Sequence, residues 1–276
     1  METVGFVGTG AMGTALLSRL QLVPISATAF DIVPQALEQA KSLGAEPAAS
    51  AKAVAQRSTL IDVVVRTDQE VLDCTLGDEG IFEGASPGTL VLLHSTIRPT
   101  TTKQVAQAAA DKRVYVIDAC MTGVPAVARD GGLTFLVGGQ KALFNRAKPH
   151  LLRMGKDAVH MGPLGSGNVT KLIKNLVTAS EALIIYEAIQ IGKAAGIDYR
   201  AALDLMKETQ SEPFLNRWEN RFDLSGPELK FNFGANLYDK DLPLAADVGK
   251  ALGADIPVTE ELAKLGSRLI AGKLSV

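Results

Sequence analysis

Short apolar runs alternate with helical patterns through the first part of the chain. Residues 3–7, 27–30, 60–65, 88–93, 113–117, 134–137 and 158–161 each read as a strand. Several, such as LIDVVV and GTLVLL, are almost continuously apolar rather than alternating, which predicts strands of a parallel sheet buried on both faces. Helical patterns follow the first strand through Ala15, Leu16, Leu17 and Leu20, begin again near Pro34, and occupy roughly 141–152. After the glycine-rich turn at 162–167 the strand patterns stop. One long pattern, 165–196, carries no Pro and, past its opening glycines, no Gly until Gly192. It predicts a helix of roughly 40 Å at 1.5 Å per residue, apolar nearly all round from 176 to 191 and therefore expected to be covered on most sides.

Further helices are expected over 199–209, 213–220, 236–252 and 259–271, with Asp198 and Thr259 as N-caps and Gly272 as a stop. The predicted architecture is α/β. A Rossmann-type doubly wound domain, residues 1–163, precedes an all-α domain, residues 164–276, that opens with the long helix.

Composition narrows the function. The chain has 276 residues, 47% of them apolar and 21% charged, with a formal net charge of −2. No basic surface for nucleic acid or membrane is indicated. Two cysteines, Cys74 and Cys120, form neither a CxxC nor a metal spacing. Reduced thiols and the absence of a signal-peptide pattern make a cytoplasmic location the expectation. No metal site is expected. His94, His150 and His160 lie far apart and read as structural or surface residues.

The chemistry starts at the first strand. Gly8-Thr9-Gly10-Ala11-Met12-Gly13 joins strand to helix, the context in which GxGxxG makes a tight turn and lets a pyrophosphate approach the backbone. Gly8, Gly10, Ala11 and Met12 are the candidate cradle. Asp31 closes the second strand, where a carboxylate accepts from both ribose hydroxyls and repels a 2′-phosphate. The alternative is an N-cap for the helix near Pro34. No Lys or Arg follows Asp31 until Lys41, so the expected cofactor is NAD rather than NADP. The polar groups at later strand ends, Val65-Arg66, Ser95-Thr96 and Asp118, fall where ligands bind open α/β sheets. Gly167, Lys171 and Asn175 stack four apart on one helix face. Two glycines before Lys171 leave room for a ligand, although a helical lysine is more often a solvated charge.

Five motifs in order resemble those of the β-hydroxyacid dehydrogenases, the 3-hydroxyisobutyrate dehydrogenase-like family, over nearly the whole chain. GFVGTGAMG (5–13) is similar to the cofactor motif, STIRP (95–99) to an element beside the nicotinamide, DACMTGV (118–124) to the substrate motif, GSGNVTKLIKN (165–175) to the catalytic motif, and Lys240-Asp241 with Phe233 to a C-terminal cofactor contact. The resemblance implies NAD-dependent oxidation of a small β-hydroxy acid, with Lys171 as general acid–base. It implies Thr122, Gly123 and Asn175 on substrate, and Val65, Arg66, Thr96, Phe233 and Lys240 beside the cofactor. A reductase of a small semialdehyde or glyoxylate-type acid, and a non-catalytic NAD-binding module, are the alternatives. Cys120, Met121, Thr122 and Val124 depart from the family's Pro, Val, Ser and Gly, and Arg66 stands where a Pro is usual; it faces cofactor phosphates, a substrate anion or solvent. A small carboxylate substrate and a homodimer or homotetramer are the expected partners.

Overall fold

The structure is a computed structural model that describes residues 2–20, 27–209, 222–223, 230–231 and 237–270. The chain divides into two compact units, Met1–Lys171 and Leu172–Val276.

The first unit is a sheet of eight strands, β1 (Val4–Val7), β2 (Ala27–Phe30), β3 (Glu46–Pro47), β4 (Leu60–Val63), β5 (Leu90–Leu93), β6 (Tyr115–Thr122), β7 (Thr134–Gly138) and β8 (Asp157–Gly162), in the order β3-β2-β1-β4-β5-β6-β7-β8. All neighbours are parallel except β6 and β7. The strand expected to end at 117 runs on to Thr122, because Asp118 to Thr122 find a second, antiparallel partner in Gly138 to Thr134.

Helices α1 (Ala11–Leu20), α2 (Pro34–Ser42), α3 (Ala51–Ala55), α4 (Asp68–Leu76), α5 (Pro99–Ala110), α6 (Pro125–Arg129) and α7 (Lys141–Met154) connect the strands. Successive strand residues serve opposite faces. Leu60, Leu90 and Leu92 pack with Leu16, Leu20, Phe144 and Leu151. Ile61, Val63, Val91 and Leu93 pack with Val54, Val105 and Ala109. Each fully buried Leu or Val contributes about 1.5–3 kcal/mol over its exposed state. The α4 start is a reciprocal cap: Thr67 Oγ1 accepts from Glu70 N at 3.2 Å, and Glu70 Oε2 accepts from Arg66 N at 2.7 Å.

Helix α8 (Ser166–Ala194) begins in the first unit and continues into the second. The second unit adds α9 (Tyr199–Thr209), a short antiparallel pair β9 (Phe222–Asp223) and β10 (Lys230–Phe231), a π-helical turn Leu237–Asp241, α10 (Leu242–Ala251) and α11 (Pro257–Ile270). The unit is helical as expected, with the two-residue pair β9–β10 as its one addition among the described residues. Asp198 caps α9, its Oδ1 accepting from Arg200 N at 2.8 Å and Ala201 N at 3.1 Å. The last helix starts at Pro257, a residue suited to the first turn, so Thr259 lies inside it and is not the cap. Residues 213–220 and Gly272 lie outside the described residues.

Ala179, Ala182, Leu183, Ile185 and Ile189 of α8 join Leu203, Tyr238 and Leu242 in one core. Ile184 and Ile191, at 63% and 72% exposure, lie off it. Among the described residues the helix is therefore covered along one side rather than on most sides. Among the described residues no helix is long and apolar enough to cross a membrane.

Candidate active site

The order of the sheet reverses between β1 and β4, and the β1–α1 loop stands at that switch point. Gly8 has φ +94°, and a Cβ there would meet Val64 O at 2.5 Å; one on Gly13 would strike Gly8 O. Both are packing glycines. Gly10 differs: its Cβ would meet nothing within 4 Å, so the backbone lies open at the mouth of α1 beside Ala11 and Met12. An open loop leading into a helix N-terminus suits a diphosphate.

Asp31 borders the same loop. Its Oδ2 accepts from Thr9 N at 2.6 Å, and its Oδ1 from Val33 N at 2.8 Å. The cap position of α2 is Val33, which has no side-chain cap, so Asp31 braces the loop instead of capping the helix. At the next strand ends, Val65 O accepts from Ser95 Oγ at 2.6 Å, and Thr96 stands half-buried between buried Ser95 and Ile97. Arg66, which follows Val65, is exposed. Gly8, Gly10, Ala11, Met12, Asp31, Val65, Arg66 and Thr96 thus share the carboxyl edge of the first unit's sheet, and these loops fit a dinucleotide. Phe233 lies outside the described residues.

The start of α8 is built around Asp118, which is wholly buried. Its Oδ1 accepts from Gly165 N at 2.7 Å and its Oδ2 from Asn168 N at 2.8 Å. Two backbone donors that a helix start leaves without intrahelical partners are thereby satisfied from a strand. Burial pushes the Asp118 carboxyl above the usual carboxylate range, against the opposing pull of the Gly165, Asn168 and Gly167 amides. Side chains are excluded around it: a Cβ on Gly138 would strike Asp118, and one on Gly167 would meet its Oδ2 at 2.7 Å.

Three residues beyond Asn168, the Lys171 ammonium donates to Met121 O on β6. Lys171 is therefore a half-buried lysine held against the substrate-motif strand. Thr122 ends that strand, its Oγ1 accepting from Thr134 N at 3.3 Å. Gly123 follows with φ +127°, where a Cβ would meet Leu133 Cδ2 at 2.7 Å, so the bare backbone is required. Lys171, Thr122 and Gly123 are brought together around the end of β6.

In the second unit, Asn175 is buried and donates through Nδ2 to Asp241 Oδ2 at 2.7 Å. Lys240 Nζ lies 2.9 Å from Asp241 Oδ1. Asp241 thus links the two polar residues singled out in this unit.

The histidines hold a feature that sequence reasoning missed. Asp62 Oδ1 lies 2.8 Å from His94 Nε2 and its Oδ2 lies 2.7 Å from His150 Nε2, all three buried. His94 Nδ1 donates to Ala119 O at 2.7 Å. Burial would raise the Asp62 carboxyl, but the charges and hydrogen bonds of His150 and His94 hold it at about 2. The single Asp interrupting an apolar strand was the available signal; its partners lie 32 and 88 residues away. His160 Nε2 bonds Gly139 O at 2.8 Å. Among the described residues no His, Cys, Asp or Glu group could hold a metal ion.

Residues 3–162 match the NAD binding domain of 6-phosphogluconate dehydrogenase, and residues 165–274 the NAD-binding domain of NADP-dependent 3-hydroxyisobutyrate dehydrogenase. A probable mitochondrial 3-hydroxyisobutyrate dehydrogenase of Dictyostelium discoideum is 31% identical, covering 98% of this chain and 86% of its own length. The chain belongs to the β-hydroxyacid dehydrogenase family. It is an NAD-binding oxidoreductase. Within this family, an NAD-dependent L-serine dehydrogenase of Pseudomonas aeruginosa is 30% identical over 94% of this chain and 89% of its own length. The Mycobacterium tuberculosis 3-hydroxyisobutyrate dehydrogenase structure with L-serine aligns at TM-score 0.85 and 26% identity, covering 98% of this chain and 94% of that one.

Proposed function

We propose that this β-hydroxyacid dehydrogenase oxidises a small acid bearing a primary alcohol β to its carboxylate, with Lys171 as general acid–base. The observation that carries the reading is the Lys171 ammonium seated on Met121 O, at the strand end that presents Thr122 and Gly123. The named relatives support the substrate class: 3-hydroxyisobutyrate, L-serine and 2-(hydroxymethyl)glutarate all carry a hydroxymethyl group on the carbon next to a carboxylate.

The bound dinucleotide supplies the hydride acceptor. Asp31 would receive its adenosine ribose and the Gly8–Met12 loop its diphosphate, and Val65, Arg66, Thr96, Phe233 and Lys240 would contact the rest. Thr122 Oγ1, Gly123 N–H and the second amide hydrogen of Asn175 anchor the substrate carboxylate. Neutral Lys171 takes the hydroxyl proton as hydride leaves carbon, and Met121 O then holds the resulting ammonium. In reduction of the aldehyde acid the lysine returns the proton, so the same groups serve both directions.

Lys171 must be neutral to act as base, so oxidation speeds up as pH rises above neutrality, while reduction does not. Lys171→Met keeps the stem without the proton carrier. NAD affinity, followed by fluorescence titration, should survive while kcat falls by ~10²-fold or more. Near-full kcat in Lys171→Met overturns the assignment and makes Lys240 the next residue to test. If the neutral alcohol matching the best acid turns over equally well, the carboxylate anchor is wrong.

A further inference from the structure

The polar contacts of Asn168 go beyond what a helix start requires. This residue is wholly buried in the first turn of α8. Its backbone N–H is taken by Asp118 at 2.8 Å. Its side chain faces three other elements. Oδ1 accepts from Thr102 Oγ1 of α5 at 2.8 Å, and Nδ2 donates to Ser95 O at 3.1 Å and to Cys120 Sγ of β6 at 3.2 Å. Ser95 O also accepts from Cys120 Sγ at 3.4 Å. The amide is thus oriented: the Ser95 carbonyl only accepts, so the NH2 must point at the Ser95–Thr96 loop, and the Thr102 hydroxyl then donates to the oxygen.

We infer that Asn168 is a positioning residue of the reaction, locking the Ser95–Thr96 loop and the helix that carries Lys171 into one frame. This rests on the proposed roles of Thr96 beside the cofactor and of Lys171 as proton carrier. Hydride acceptor and base must be placed together, and a small displacement of one against the other lowers turnover without weakening binding. Asn168 spans the two in a single side chain. A helix cap alone would need neither the contact to Ser95 nor the bond from the Thr102 hydroxyl.

The isosteric change Asn168→Asp tests this. The introduced carboxyl donates to Ser95 O only while protonated. Burial and the nearby Asp118 carboxylate favour that form, the Lys171 ammonium opposes it, and the Cys120 thiol shares the site. As pH rises the group ionises against the Ser95 carbonyl. Oxidation by this variant should therefore fall toward high pH, where the unmodified protein speeds up, with kcat about tenfold lower at pH 9, the loss of one buried hydrogen bond. NAD affinity should stay within about twofold, since no cradle group is changed. In the cofactor-free protein, amide hydrogen exchange over 165–171 should quicken. Thr102→Val removes the hydroxyl bond to Asn168 Oδ1 without touching the site and should lower kcat by roughly threefold to tenfold; Thr102→Ser should restore it.

Given an inactive Lys171→Met, a folded Asn168→Asp with unchanged kcat, pH slope and exchange overturns the inference and leaves the lysine assignment standing. Should Asn168→Asp not fold, equal kcat in Thr102→Val and the unmodified protein overturns it. Full turnover in Lys171→Met overturns the assignment and the inference together.

Discussion

Asp62 on β4 and Asp118 on β6 are both fully buried, separated in the sheet by β5, yet their carboxyls shift in opposite directions. Asp62 is held at about 2 by two imidazoles, whose charges outweigh the burial that would raise it. Asp118 accepts from backbone amides, with no charged partner bonding it among the described residues. Those dipoles lower its value, but burial wins and the carboxyl is raised. Equal burial therefore does not decide the charge state of a carboxylate. The partner's charge does. The comparison also separates roles. Asp62 closes a polar array within the core of the sheet, whereas Asp118 spends its oxygens on the helix that bears Lys171.

Removing Asp62 should have the larger effect on stability. Asp62→Leu leaves His94 Nε2 and His150 Nε2 buried without their acceptor, and breaking a buried charge pair from one side costs about 3–5 kcal/mol. Urea unfolding measures it; a loss below about 1 kcal/mol would show that no charge resides there.

Asp118→Asn should come next. One of two acceptor oxygens becomes an NH2 aimed at a backbone N–H, at a cost of about 1–3 kcal/mol. Because that N–H belongs to Gly165 or Asn168, kcat should fall as well, which Asp62→Leu at equal residual folded fraction should not reproduce.

Acidification separates the two aspartates by sign. The Asp62 carboxyl, lowered from 3.8 to about 2, contributes stability above about pH 4 that is lost as pH falls toward 2, up to about 2 kcal/mol. The raised Asp118 carboxyl penalises the fold while ionised, so falling pH first relieves that cost. Stability measured downward from neutrality should therefore gain slightly before it falls, and Asp118→Asn should remove the gain while keeping the fall.

The smallest effect concerns the sheet's other edge. Asp31→Ala should weaken NAD by roughly tenfold, as a lost charged hydrogen bond does, and narrow the gap to NADP. Equal efficiency with both dinucleotides in the unmodified protein would remove the ribose role of Asp31.

These differences explain what the sequence discloses. Gly8, Gly10 and Asp31 are legible because a local turn and a strand end fix them, and the chain's spacing is the site's spacing. Lys171 is legible from helix periodicity and the glycines before it. Asp118 is legible as a polar residue after a strand, but its role is not, and neither is Asn168, because an acceptor for backbone N–H groups leaves no side-chain pattern to read. The Asp62 array joins residues 32 and 88 positions apart, and the Asn175–Asp241 bond spans 66. Only the fold brings such partners together. The extension of β6 to Thr122 was hidden for the same reason: an antiparallel neighbour on one side is a property of the sheet, not of the strand.

The Asp118–Gly165 bond spans 47 residues, with the acceptor preceding the donor along the chain. During synthesis at about 5–20 residues per second, the carboxylate therefore waits a few seconds, hydrated, for the helix that will cover it. Docking that helix strips the water from a charge whose new partners only partly replace it. Covering Asp118 is thus an electrostatically costly part of closing this unit, which the Gly165 and Asn168 amides only partly offset.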